Sequence, residues 1–238
     1  MDAGKLRAAV TGLTAFAAAQ EQVLLAAAPA GEEGSPSHWA ALPLVAHNTE
    51  FRRQQVVRLR AIRSGQAPPD FTEADHQSAA LYAELSAQPA DAVARDSRGV
   101  SGELIDEVTL VSAADLTDPS RHPWLRGRQL WLQVIVRGFW HPAGHVGEYY
   151  RSHGQADRDV ALAQQAVATA VFLGAPDQAR GMASYTLACA LAGSGLLDEA
   201  AAAVAEAIDL NQDLRVNASR DPDLAAVRAS DRLVALLT

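Results

Sequence analysis

The sequence predicts an all-α protein, and three observations favour this fold class. Hydrophobic residues make up 49% of the 238 residues but aromatic residues only 5%, so the core must consist mostly of alanine, leucine and valine. Alanine is the strongest helix former, and runs of β-branched residues are few. Apolar residues also recur at helical spacing from the first segment onward, as at Leu6, Val10, Leu13 and Phe16. No segment has the pattern of a convincing β-strand.

Helix-breaking residues divide the first 155 residues into helices of the lengths found in bundles. The four long helices are expected at residues 3–28, 37–63, 90–111 and 129–153. Pro43 is expected to bend or restart the second of them. Thr72 and Asp75 form a capping box for a short additional helix, and Ser112 with Asp115 is expected to cap another. Four long helices predict a four-helix bundle, which we place at residues 1–155.

Residues 156–238 differ in composition and are expected to form a second domain. This part is rich in alanine, and its breaks at residues 174–176 and 193–195 predict paired helices. Asp221 begins a pattern that we expect to cap a final short helix. The predicted organisation is therefore a four-helix bundle followed by a helical hairpin segment.

Charge and cysteine content exclude several classes of protein. The formal net charge of −8 argues against nucleic-acid binding, which requires a basic patch. Cys189 is the only cysteine, so neither an intrachain disulfide nor a thiolate metal cluster is expected. We expect no membrane partner, because the chain has no run of about 20 apolar residues and its N-terminus lacks the features of a signal peptide. The resulting expectation is a cytoplasmic protein.

Two histidines at i and i+4, His141 and His145, are the first indication of chemistry. On a helix they lie one turn apart on one face, and neutral imidazole is a common ligand of zinc, nickel and iron. Pro142 lies between them and predicts a kink, whereas a helix end at that point would break the i, i+4 relationship. Core or surface packing is the alternative interpretation of the pair.

A third ligand must come from elsewhere in the chain, and His47 is the best candidate. It lies in the middle of the second long helix among apolar residues, so its ring should face the bundle interior, although a hydrogen-bonded core histidine is the alternative. Three protein ligands with one open position are typical of a catalytic zinc site. The remaining histidines are expected at the surface, namely His38, His76, His122 and His153.

Several residues near the histidine pair could take part in catalysis or in binding. Glu148 follows the second histidine by three residues, and we assign it a catalytic role, in which it orients an imidazole or moves a proton. Trp140 and Tyr149 could line a substrate or cofactor pocket, although core packing explains them equally well. Arg137, one turn before the pair, could bind a substrate carboxylate, with a surface salt bridge as the alternative.

These motifs resemble those of the DinB-like superfamily of helical bundles. The segment Leu42–His47 is similar to the family's motif in its second helix. The segment His141–Glu148, with Gly147 two residues after its second histidine, is similar to the motif in the fourth helix. The turn Leu116–Pro119 is similar to the turn after the family's third helix. The resemblance covers about residues 5–153.

The resemblance implies a divalent metal at His47, His141 and His145, with zinc expected before nickel or iron. One branch of the superfamily contains transferases and isomerases that use a small thiol such as mycothiol, and we expect this chemistry on a small-molecule substrate. Another branch, the ClbS/DfsB group, contains self-resistance hydrolases that open strained rings of natural products and do not clearly require a metal. A catalytically inert module that binds a ligand or partner is the third hypothesis.

The C-terminal part resembles a tetratricopeptide repeat. The small and large residues of the repeat pattern match Ala188, Leu191, Ala200, Val204 and Ala207. About one and a half repeats are present, which is too few to bury a core without further packing. A structural appendage is favoured over a peptide-binding module, and both a homodimer and a protein partner on this segment stay open.

Overall fold

The computed structural model describes residues 2–29, 31–71 and 79–229, and every regular element in these ranges is helical. The prediction of an all-α protein is therefore confirmed. The helices are α1 (Ala3–Ala27), α2 (Ala41–Arg63), α3 (Ala79–Ser86), α4 (Ala90–Leu110), α5 (Ala113–Thr117), α6 (Leu130–Ile135), α7 (His141–Ser152), α8 (Ala156–Phe172), α9 (Asp177–Gly193), α10 (Leu197–Leu210), α11 (Leu214–Arg220) and α12 (Ala225–Ala229). A π-helical turn, Val136–Trp140, joins α6 to α7, and short 3₁₀ helices lie at Pro123–Leu125 and Pro222–Leu224.

Contacts divide the chain into two compact units, Met1–Pro142 and Ala143–Thr238. The division falls inside α7, and the domain boundary after residue 155 stays a prediction. In the first unit, α4 packs against both α1 and α2, and α1 also contacts α6 and the π turn. Its innermost side chains are those of Leu24, Leu59, Leu104, Leu130, Ile135 and Phe139. The specific DinB-like arrangement of these helices also stays a prediction.

Helix α2 begins at Ala41, four residues later than the sequence predicts. Ser35 and His38 close a tight turn through two backbone hydrogen bonds, which holds this segment out of the helix. The Glu32 carboxylate then accepts a hydrogen bond from the Ala41 amide at 2.8 Å, at the start of the helix. Pro43 lies in the first turn, where its missing N–H costs nothing, so it neither bends nor restarts α2.

The long helix expected at residues 129–153 is present as three consecutive helical pieces, α6, the π turn and α7. The His141 amide bonds the Val136 carbonyl five residues earlier, which is the π-helical pattern. A Cβ at Gly138 would collide with the hydroxyl of Thr14 on α1. Glycine thus allows the π turn to lie directly on α1.

The second unit contains alanine-rich helices packed at close range, with α9 against both α8 and α10. A Cβ at Gly181 would lie 2.9 Å from the Ala207 carbonyl, so only glycine allows α9 and α10 to approach so closely here. The five positions that match the repeat pattern are all buried, namely Ala188, Leu191, Ala200, Val204 and Ala207. Whether they make a true tetratricopeptide repeat stays a prediction.

Two of the predicted helix caps are observed in the described residues. The Ser112 hydroxyl accepts the Asp115 amide at 3.0 Å, and Asp221 accepts the Asp223 amide at 2.9 Å. The capping box of Thr72 and Asp75 lies outside the described residues. No described helix has both the length and the apolar character that crossing a bilayer requires.

Candidate metal centre

His47 and His141 meet although they lie on separate helices of the first unit. Nε2 of His47 lies 3.2 Å from Nε2 of His141. The His47 side chain is buried, whereas that of His141 is half-buried. His47 occupies the second turn of α2, and the π turn places His141 at the first position of α7. The sequence prediction that His47 faces the interior is confirmed.

His145 completes the cluster because it follows His141 by one turn of α7. Each of the three histidines offers a ring nitrogen, and these atoms all lie within 4.8 Å of one another. A tetrahedral zinc ion bound at about 2.0–2.1 Å holds two imidazole nitrogens about 3.3 Å apart. The 3.2 Å separation of the His47 and His141 nitrogens fits that geometry. The cluster could therefore hold a metal ion.

Aromatic rings surround His47 and His141 and restrict their orientations. The Phe51 ring stacks on His141 with centroids 4.5 Å apart, and its centroid lies 4.6 Å from that of His47. The Trp39 ring meets the His47 ring edge-on, with centroids 5.0 Å apart. The Tyr82 ring of α3 packs against Trp39 in the same way, with centroids 5.7 Å apart. Neither Trp39 nor Tyr82 was predicted at this site, because the contacts of both rings depend on the packing of segments that are not regular continuations of α2.

Arg137 and Trp140 belong to the π turn that leads to His141. Arg137 is 7% exposed, and its guanidinium lies 4.2 Å from the centroid of the Phe51 ring. Arg137 therefore does not lie at the surface, where the salt-bridge interpretation placed it. Trp140 is half-buried, and its indole N–H has no hydrogen-bond partner within the described part of the chain. A role of either residue in substrate binding stays a prediction.

Glu148 and Tyr149 follow the cluster on α7 and belong to the second unit. Glu148 is exposed, and its charge contributes to raising the pKa of Asp159. Tyr149 is buried, and its ring stacks on His153 with centroids 4.0 Å apart. The catalytic role of Glu148 and the pocket-lining role of Tyr149 stay predictions.

The remaining histidines correct one expectation. His38 and His153 are exposed as predicted, and His76 lies outside the described residues. His122 is buried at 7% exposure, so its placement at the surface is wrong. Its Nε2 lies 3.0 Å from the Asp115 carbonyl, and this hydrogen bond holds the ring inside the turn after α5. The expectation failed because a histidine close to a predicted loop need not be exposed when the turn itself buries the ring.

A second group with metal-ligand atoms lies in the second unit, formed by Cys189, Asp221 and Asp223. The Asp221 carboxylate accepts the Tyr185 hydroxyl at 2.7 Å and also caps the 3₁₀ helix. Burial, with the two carboxylates, raises the pKa of the Cys189 thiol well above its usual range, so the thiol stays neutral. This group is explained by its own hydrogen bonds, and packing remains the interpretation of Cys189.

No protein-family model, curated protein or solved structure matches this chain. The case for a function therefore depends on the geometry of the histidine cluster and on the chemistry of its donors. Membership of the DinB-like superfamily stays a prediction from the sequence motifs.

Proposed function

We propose that the protein is a metal-dependent, DinB-like enzyme that transfers or isomerises a small substrate with the help of a low-molecular-weight thiol such as mycothiol. The observation that carries this proposal is the convergence of His47, His141 and His145 on one point. Three neutral imidazoles leave a coordination position open, which distinguishes catalytic from structural zinc sites. Nickel and iron accept the same donors.

The residues of the chain have separate roles in this proposal. His47, His141 and His145 bind the ion, and the Phe51 ring fixes His141 in the orientation that binding needs. A divalent ion held by neutral ligands keeps its positive charge and lowers the pKa of a thiol or water placed next to it. Glu148 would take the thiol proton. As the sulfur bonds to one carbon of an electrophilic double bond, the π bond breaks and its electron pair would accept the proton from Glu148 at the other carbon; the reverse elimination, after rotation, would release the thiol and restore the double bond.

Arg137 supplies a fixed positive charge beside this centre. Its guanidinium packs on Phe51, and the same ring stacks on His141. We assign Arg137 to a carboxylate of the substrate, because a guanidinium matches a carboxylate with two parallel hydrogen bonds. Arg137→Met should raise KM for an acidic substrate more than it lowers kcat, and Arg137→Lys should recover part of the loss. An unchanged KM in both variants would remove Arg137 from the proposal.

Metal content is the decisive test. The purified protein, reconstituted with zinc and dialysed, should hold one ion per chain by elemental analysis. His47→Ala and His141→Ala should each weaken zinc binding by more than the roughly 10–100-fold that loss of an outer partner costs. His153→Ala is the matched control, because His153 is an exposed histidine that follows the same helix. A wild-type protein without stoichiometric metal contradicts the proposal.

Thiol dependence separates the transferase from the hydrolase. With Co²⁺ in place of zinc, a small thiol should add a near-ultraviolet absorption band that His141→Ala lacks. Turnover of an electrophilic substrate should then require the thiol. Hydrolysis that proceeds at full rate without any thiol would favour a self-resistance hydrolase, and stoichiometric ligand binding without turnover would favour a binding module.

A further inference from the structure

A wholly buried ion pair lies in the core of the first unit, next to the metal centre in sequence. Glu21 of α1 and Arg52 of α2 are both 0% exposed. Their two hydrogen bonds measure 2.6 Å and 2.9 Å, so the guanidinium holds both carboxylate oxygens. Asn48 of α2 and Ser97 of α4 donate to the same carboxylate at 2.9 Å and 3.0 Å. One carboxylate therefore joins three helices.

Stability alone is a poor reason for such a pair. Removing two charges from water costs most of what their attraction returns, and apolar residues of similar volume often serve a core equally well. The neighbouring core contains apolar residues such as Leu24 and Leu59, one or two turns from the pair, and also the buried polar residue Gln55. Buried polar groups in helical assemblies are best known for fixing which face of one helix meets another.

The pair acts on the same helix that carries His47. Asn48 and Arg52 each follow, by one residue, the two residues of α2 that contact His141, namely His47 and Phe51. His47 and Phe51 form one stripe along α2, and Asn48 and Arg52 form a second stripe, about 100° away around the helix axis. One stripe is bound to α1 and α4 through hydrogen bonds, and the other presents the imidazole. A rotation of α2 cannot change one stripe without changing the other.

A metal ligand tolerates so little displacement that even a small rotation of α2 would disturb the position of His47. A ring about 6 Å from the helix axis moves by about 2 Å when the helix rotates by 20°. Metal and catalytic groups must be held within about 0.5 Å and 10–20° of their working geometry. A packed apolar face of alanine, leucine and valine tolerates such a rotation more easily than a bidentate ion pair does.

We infer that the Glu21–Arg52 pair, with Asn48 and Ser97, is a positioning device that fixes the rotation of α2 and so presents His47 to the metal. Glu21 and Arg52 are positioning residues that touch neither metal nor substrate. This inference rests on the proposed function, because it assigns a purpose to the geometry of that centre.

The test replaces both charges together, because removing one would leave the other buried and unpaired. Glu21→Gln with Arg52→Met keeps an amide oxygen for Asn48 and removes the ion pair. The matched control is Arg53→Gln with Asp96→Asn, which removes an exposed ion pair that also holds α2, here to α4. The double variant should unfold at about the wild-type denaturant concentration but bind zinc about 10–100-fold more weakly. The control should match the wild type in both measurements.

A second measurement works on the metal-free protein. Imidazole ¹⁵N NMR should detect the hydrogen bond between His47 and His141 in the wild type and its loss in the double variant. If the wild type binds no zinc, the proposed function fails while this comparison still decides the positioning role. Wild-type zinc affinity, or an intact histidine hydrogen bond, in a folded double variant overturns the inference.

A variant that does not fold would still leave a decisive comparison. Arg52→Lys keeps the charge but loses the bidentate geometry that resists rotation. Weaker zinc binding by Arg52→Lys at unchanged stability supports the inference, and unchanged zinc affinity overturns it.

Discussion

Asp159 should make the folded protein less stable at neutral pH than at acidic pH. It lies on α8 at 5% exposure, packed against Gly147 of α7, where a Cβ would collide with its carboxylate. Burial raises the pKa of Asp159 from 3.8 to about 6, although Arg151 Nε lies 3.6 Å from the carboxylate. The negative charges of Glu148 and Asp223 raise this pKa further.

The sign of the effect follows from proton linkage. The folded state binds this proton more tightly than the unfolded state, so the stabilisation is fully present below pH 3.8 and is lost as the pH rises through about 6. Each tenfold difference in proton affinity corresponds to about 1.4 kcal/mol, which gives an upper bound of about 3 kcal/mol. Solvent screening reduces the expected loss to about 1–2 kcal/mol.

Asp159→Asn isolates this contribution, because asparagine keeps the shape and cannot ionise. Urea unfolding followed by circular dichroism should give the variant about 1–2 kcal/mol more stability than the wild type at pH 8 and only about a third of that difference at pH 4.5. Asp157→Asn is the control, since Asp157 is an exposed residue of the same helical turn. If Asp159→Asn loses stability equally at both pH values, the ion pair with Arg151 outweighs burial and the reasoning is wrong.

Three further outcomes are expected. Arg7 donates to the Val108 and Val111 carbonyls at 3.1 Å and 2.7 Å at the end of α4, so Arg7→Met should lower the free energy of unfolding by about 1–3 kcal/mol in urea. Neither amide atom of Gln55 has a hydrogen-bond partner in the described residues, so Gln55→Leu should stabilise by about 1 kcal/mol; a loss would refute this. Zinc at 100 times its Kd should raise the free energy of unfolding by about 2.7 kcal/mol, and a chelator should remove this increase.

The sequence was sufficient for the helices because their signals are local. Apolar spacing and breaking residues gave α1 and α4 to within about two residues at each end. The start of α2 was wrong because the turn of Ser35 and His38 and the Glu32 carboxylate decide it, and periodicity carries no information on either. His122 was misplaced for a related reason, since a loop residue can be buried by its own turn.

Long-range pairing explains what could not be predicted at the site. His141 and His145 were found from their spacing, but Trp39 contacts His47 from the segment before α2, which the sequence analysis had wrongly included in that helix. The Glu21 carboxylate is joined to Ser97, 76 residues away, and helical periodicity would assign an isolated glutamate to the solvent face. Only the packing of α1 on α2 and α4 makes these side chains neighbours.

Pro142 was the weakest point of the sequence argument, and the π turn resolves it. Proline lacks an N–H and collides with the carbonyl four residues earlier, here that of Gly138, so a regular helix would be strained. The wider turn, with His141 bonded to the Val136 carbonyl, accommodates the proline.

Pro142→Ala removes this reason for the π turn, and a regular helix would rotate α7 by about 100° relative to α6. We expect undiminished stability but at least about 10-fold weaker zinc binding, because His141 would turn away from His47. Unchanged affinity would show that the glycine contact with α1, and not the proline, maintains the turn.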